Sequence, residues 1–132
     1  MRGLARRLIG VWLMVDGVMT GLWFSGLADS LGGRDAVSVT MMGARVMVAG
    51  VSIVAGWLVT QRRPQGTALG VAALALIAGF GLFSAWTGVL PSNLDFSFRG
   101  PAALLQAVIA AVAILFLRFD TLEIRPDGTT RA

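Results

Sequence analysis

Long apolar runs separated by short polar segments make up this chain, and the pattern predicts four membrane-spanning helices. The runs cover about residues 8–28, 40–60, 67–90 and 101–119. Each is close to the ~20 residues that an α-helix needs to cross a hydrocarbon core about 30 Å thick. Pro101 suits the first turn of the fourth helix, and no run has a proline in its interior. We therefore expect one domain, 1–132, that is an all-α integral membrane four-helix bundle with a short polar tail at 120–132.

Each predicted helix has a face of small or polar residues and an opposite face of bulky apolar ones. In the second run the small and polar positions recur at i, i+4, i+7 and i+11, the spacing of one helix face: Arg45, Ala49, Ser52 and Gly56. Lipid tails are as apolar as leucine, so helices in a bilayer associate through close packing of small residues. We expect the small faces inside the bundle and the bulky faces in lipid.

The distribution of arginine predicts the orientation. With alternating spans, eight arginines fall at one end of the bundle: Arg2, Arg6, Arg7, Arg62, Arg63, Arg118, Arg125 and Arg131. Arg34 and Arg99 fall at the other end, and Arg45 falls inside a span. Because positive loops stay in the cytoplasm, both termini are expected there. A cleaved signal peptide is the competing interpretation of the first run, whose length and Asp16 favour a permanent span.

Composition narrows the possible chemistry. All eleven basic residues are arginine, and the chain has no Lys, His, Cys or Tyr. Disulfides, His- or Cys-ligated metals and His-activated nucleophiles are thereby excluded. The net charge of +4 comes from arginines that flank apolar runs, so we expect no nucleic-acid partner. We predict a lipid-embedded protein with no enzymatic activity, no catalytic or metal-binding residues and no cofactor.

Asp16 is the one acidic residue predicted well inside a span. A carboxylate at the centre of a membrane helix costs about 2.5–3.5 kcal/mol on insertion scales, so such residues face the bundle interior and have a partner. Asp16 is expected either to anchor the bundle or to exchange protons or cations in transport. As an anchor it would bond to Thr20, Ser52 or Gln106.

Arg45 is the second charged residue predicted inside a span. Helix rises place it at a depth about 12 Å from that of Asp16, so we expect no direct pair between them. Its long side chain is expected to reach lipid headgroups, or to bond an acidic residue on the outer side. The outer acidic residues are Asp29, Asp35 and Asp95.

Two glycine pairs have the GxxxG spacing, Gly17 with Gly21 and Gly66 with Gly70. This spacing lets two helix backbones approach closely. We expect the contacts to lie within the chain. The alternative is contact with a second copy or with other membrane protein subunits.

The segment Arg45-Val46-Met47-Val48-Ala49-Gly50 resembles a pattern in small, uncharacterised bacterial four-helix membrane proteins of the DoxX-like type. This resemblance implies a multi-pass protein of the bacterial inner membrane and says little about chemistry. The layout also resembles small multidrug-resistance transporters, whose first-span acid is followed four residues later by Thr, as in Asp16 and Thr20. That family uses Glu and has a weak charge bias, and this chain departs from both features.

These features predict a non-enzymatic accessory or partner-binding subunit of a membrane assembly. The alternative is a small ion-coupled transporter or channel that uses Asp16. A transporter would lose transport when that one acid is replaced, and an accessory subunit would co-purify with its partner.

Overall fold

Residues 2–88 and 96–122 are described by a computed structural model, and they form four long helices. These are α1 Arg2–Gly26, α2 Ala36–Thr60, α3 Pro64–Thr87 and α4 Phe96–Leu122, with a short 3-10 helix, Ala28–Gly33, after α1. Each of the four is long and apolar enough to cross a membrane. The prediction of an all-α, four-helix integral membrane protein is confirmed.

The helices extend beyond the apolar runs from which they were predicted. The fourth begins at Phe96, so Pro101 lies inside α4 and the expectation that it opens the helix is wrong. The same helix continues through Asp120, which was assigned to a polar tail. Polar and charged side chains are tolerated at the membrane interface, so a helix can extend beyond the apolar run that crosses the hydrocarbon core. Hydropathy therefore marks the apolar centre of each helix and misses its ends.

Local chemistry explains where two of the helices begin or end. Asp35 caps the start of α2, because its Oδ2 accepts a hydrogen bond from the Ser38 backbone N–H at 3.2 Å and its Oδ1 accepts one from Ser38 Oγ at 2.7 Å. Gly88 ends α3 in the left-handed conformation, with φ 65°. Glycine adopts this conformation without the clash that a Cβ would cause.

Successive helices run in opposite directions and pack side by side. The arginine-rich end of the bundle is the end where α1 begins, α2 turns into α3, and α4 finishes. The opposite end, with the 3-10 helix, is the far end. α1 packs along the length of α2, and α3 packs against both α2 and α4, whereas α1 approaches α4 at only a few positions. The ring of helices is therefore only loosely closed between α1 and α4.

Among the described residues, the core combines four alanines with three leucines, two valines and one isoleucine. The buried cluster comprises Leu13, Val48, Ala55, Val59, Ala73, Leu74, Ile77, Ala110, Ala113 and Leu117. Bulky residues on the opposite faces are exposed, as Val15 on α1, Met47 on α2 and Leu105 on α4 are. This arrangement confirms the predicted division into small inner faces and bulky lipid-facing ones.

Candidate functional site

Arg6 connects all four helices at the arginine-rich end. Only 3% of its surface is exposed, although arginine is among the residues least often buried. Its Nε donates to the Val59 carbonyl of α2 at 3.2 Å, and its Nη2 donates to Thr67 Oγ1 of α3 at 3.1 Å. Its Nη1 lies 2.7 Å from Asp120 Oδ2 of α4. The guanidinium therefore has one acceptor on each of the three other helices, and the acceptor on α4, Asp120, is also its charge partner.

The sequence did not lead us to predict these contacts of Arg6. Arg6 was counted only as a charge that sets orientation, and Asp120 was placed in a solvated tail. One signal was present in the sequence, because Arg6, Gly10, Leu13 and Gly17 fall on one helix face. An arginine on the inward face of a span needs an acidic partner, and Asp120 lies at the same end of the bundle.

Asp16, Arg45 and Thr20 come together in the middle of the bundle. Arg45 Nη2 lies 3.3 Å from Asp16 Oδ2 and 3.3 Å from Thr20 Oγ1. The side chains of Arg45 and Asp16 are 11% and 17% exposed, so the ion pair is largely shielded from its surroundings. The expectation that Arg45 reaches headgroups or an outer acid is wrong.

The register of α1 against α2 explains why the depth estimate failed. Gly10 lies against Gly56 and Gly17 lies against Ala49, so position 50 is level with Asp16. Arg45 lies five residues before that level in α2, which corresponds to about 7.5 Å, and an extended arginine side chain covers that distance. Among the outer acids, Asp35 is occupied as the cap of α2. Asp95 lies outside the described residues.

The other two residues of the predicted polar site do not bond to this triad. Ser52 is fully buried, but its hydroxyl donates to the Val48 carbonyl of its own helix at 2.8 Å. It therefore satisfies itself locally and does not bond Asp16. Gln106 faces α3, where a Cβ built on Gly81 would lie 3.0 Å from its Oε1. The five predicted residues thus form one triad and two separate side chains.

A pocket of about 220 Å³ lies in the half of the bundle nearer the far end. All four helices contribute to its wall. The polar lining residues are Thr20, Arg45, Ser84, Arg99 and Gln106, and the larger apolar ones are Trp23, Phe24, Ile77 and Phe80. Arg45 and Arg99 are the only charged residues among the described lining residues, and Arg45 is paired with Asp16.

One nitrogen of the Arg45 guanidinium has no hydrogen-bond acceptor among the described residues. This nitrogen, Nη1, is buried. Buried polar groups in folded proteins are nearly always bonded, because an unsatisfied donor costs about 1–3 kcal/mol. This nitrogen therefore marks a place where an acceptor would be favourable.

Three of the four predicted packing glycines permit close helix contact. A Cβ on Gly17 would lie 2.6 Å from the Ala49 carbonyl oxygen, one on Gly66 would lie 2.6 Å from the Leu58 backbone, and one on Gly70 would lie 2.9 Å from Val59. A Cβ on Gly21 would meet nothing within 4 Å, so that glycine does not pack as predicted. The true partner of Gly17 in the α1–α2 contact is Gly10, seven residues earlier and facing Gly56.

Comparison of the chain with models of known protein families, with curated proteins and with solved structures gave no match. The DoxX-like and multidrug-transporter resemblances therefore remain predictions. Within residues 2–88 and 96–122, no three acidic side chains come together as a metal site would require. The class that the fold defines is a multi-pass, four-helix integral membrane protein.

Proposed function

We propose that this chain is a non-enzymatic accessory subunit of a membrane assembly, located in the bacterial inner membrane. The observation that supports this proposal is the use of the buried charges. Arg6 bonds to Asp120, and Arg45 bonds to Asp16. These groups hold the helices to one another, so the outer surface is left as the part that can meet a partner.

The loosely closed side of the bundle is the surface best suited to a partner helix. α1 and α4 approach each other at only a few positions, and both helices expose apolar side chains. In a bilayer, a further helix gains contact energy where it fits between two others. A second copy of this chain or a different membrane protein would fit the same description.

Photo-crosslinking in native membranes tests the proposal. A photoreactive residue is placed at one exposed position of each helix: Val15, Met47, Leu76 and Leu105. A docked subunit gives a discrete protein adduct at Val15 and Leu105, and none at Met47, which is the matched control on α2. Adducts to lipid alone at all four positions would refute the proposal. An adduct of twice the chain mass identifies a homo-oligomer.

The alternative is an ion-coupled transporter that uses Asp16. One observation favours it, because the Arg45 that bonds Asp16 also lines the pocket. A substrate in the pocket would then compete with Asp16 for the same guanidinium. In vesicles that hold the purified protein, the transporter reading requires pH-gradient-dependent uptake that Asp16→Asn abolishes. Asp35→Asn, an acid substitution outside the pocket, serves as the control.

A further inference from the structure

We propose that the pocket near the far end of the bundle binds an oxyanion, the phosphate or carboxylate group of a small amphipathic molecule or of a lipid headgroup. Its described lining residues carry two positive charges, Arg45 and Arg99, and no negative one. Arg45 pairs with Asp16 through Nη2, and its Nη1 has no acceptor among the described residues. Guanidinium groups recognise carboxylate and phosphate through charge-assisted hydrogen bonds, so an oxyanion is the occupant that such a wall suits.

The unsatisfied Nη1 of Arg45 is a buried donor on a residue that lines the pocket, and a rotation of the guanidinium would turn it toward an oxyanion held there. The residue is 9% exposed, its Nη2 already serves Asp16 and Thr20, and its Nη1 has no acceptor among the described residues. Guanidinium groups bind carboxylate and phosphate through two parallel N–H donors, so one free donor beside an occupied one suits a second oxyanion. Gln106 and Ser84 add neutral hydrogen-bonding groups to the same wall.

The size and the apolar walls restrict the ligand. A volume of about 220 Å³ corresponds to roughly seven water molecules at ~30 Å³ each. This is room for one phosphate or carboxylate group with a few carbon atoms beside Trp23, Phe24 and Phe80. The wall is built by all four helices, including α1 and α4, which are loosely packed against each other. A lipid headgroup could therefore enter sideways, and a free anion could enter from the far end.

Two probes distinguish these sources. The purified full chain in dodecyl maltoside is titrated with inorganic phosphate and, separately, with dihexanoylphosphatidylglycerol. Dihexanoylphosphatidylcholine is the headgroup control without net charge. Trp23 lies in the wall and reports binding through its fluorescence, and Trp23→Phe identifies its share of the signal. Saturable binding of phosphate indicates a free anion, and binding of phosphatidylglycerol alone indicates a lipid. Binding of neither probe, or equal binding of phosphatidylcholine, would overturn the proposal.

Paired variants locate the binding. Arg99→Gln removes a charge from the wall and should weaken binding by about tenfold, the effect of one charge-assisted hydrogen bond. Arg63→Gln removes the same charge at the arginine-rich end and should leave binding unchanged. Ser84→Leu fills the pocket from α3 and should abolish binding while the helical content and melting temperature are retained. Equal weakening by Arg99→Gln and Arg63→Gln would show a general charge effect and refute a pocket.

Discussion

Arg6 and Asp120 are 114 residues apart in the chain, and Arg6 Nη1 lies 2.7 Å from Asp120 Oδ2. The bond joins the first helix to the last one, at the arginine-rich end of a bundle whose α1 and α4 are otherwise in little contact. The pocket lies in the other half of the bundle, with walls from both of these helices. The two helices are therefore held together at one end, and the pocket lies toward the other.

Breaking the Arg6–Asp120 pair should destabilise the fold strongly. Asp120→Ala leaves a guanidinium buried without its counter-charge, and we expect the free energy of unfolding to fall by about 3 kcal/mol. The measurement is unfolding by SDS in dodecyl maltoside micelles, followed by circular dichroism. Arg7→Gln, a neighbouring exposed arginine, should change stability by less than about 0.5 kcal/mol. An equal loss for both variants would show that Arg6 has no special role.

The Asp16–Arg45 pair should behave as one unit. Arg45→Leu leaves the Asp16 carboxylate buried without its partner and should cost about 3–5 kcal/mol. Asp16→Leu together with Arg45→Leu should cost less than Arg45→Leu alone, because no uncompensated charge then remains. A double-mutant cycle in the same unfolding assay measures the coupling, expected at about 1–3 kcal/mol. Additive losses would contradict the pairing.

Gly17 and Gly21 have the same motif spacing but should respond differently to alanine. Gly17→Ala places a methyl group against the Ala49 carbonyl and should destabilise the bundle by about 1–3 kcal/mol. Gly21→Ala meets no atom within 4 Å, and alanine favours a helix, so stability should stay the same or rise by up to about 1 kcal/mol. Thermal melting of the two variants in parallel checks this contrast. A loss at Gly21 as large as that at Gly17 would disprove the observed register.

The cap at Asp35 should give the fold a dependence on acid pH. The Ser38 hydroxyl and the Ser38 backbone N–H hold the pKa of Asp35 below its ordinary value of 3.8. Because the folded-state pKa is the lower one, this contribution to stability is fully present above the ordinary value and is lost as pH falls through the folded-state pKa. Asp35→Asn still caps the helix but does not titrate there. Its melting temperature should therefore fall less than that of the wild type between pH 5 and pH 2.5.

The orientation can be tested directly, since the chain has no native cysteine. Gln65→Cys lies at the arginine-rich end and Gly33→Cys lies at the far end, and both positions are exposed. The excess of arginine predicts that a membrane-impermeant maleimide labels Gly33→Cys in intact cells and labels Gln65→Cys only after the membrane is opened. The reverse pattern would place the termini outside.

The sequence by itself determined the class of protein, the number of helices and the inward face of each helix. These properties follow from local quantities. The length of an apolar run must match the bilayer, and the 3.6-residue period assigns each residue to a face. The inward positions of Asp16, Arg45 and Ser52 could be predicted for the same reason.

The partners of those inward side chains were decided only by the tertiary structure. The sequence predicted an offset in depth of about 12 Å between Asp16 and Arg45, or roughly eight residues of helix, whereas the observed register of α1 against α2 leaves about five. This register depends on where Gly10 and Gly17 meet α2. No local sequence pattern predicts the register of α1 against α2. Arg6 and Asp120 were missed because each looked like an ordinary charge at a helix end, and only the folded bundle brings the first helix against the last one. Long-range contacts of this kind depend on the packing of all four helices at once.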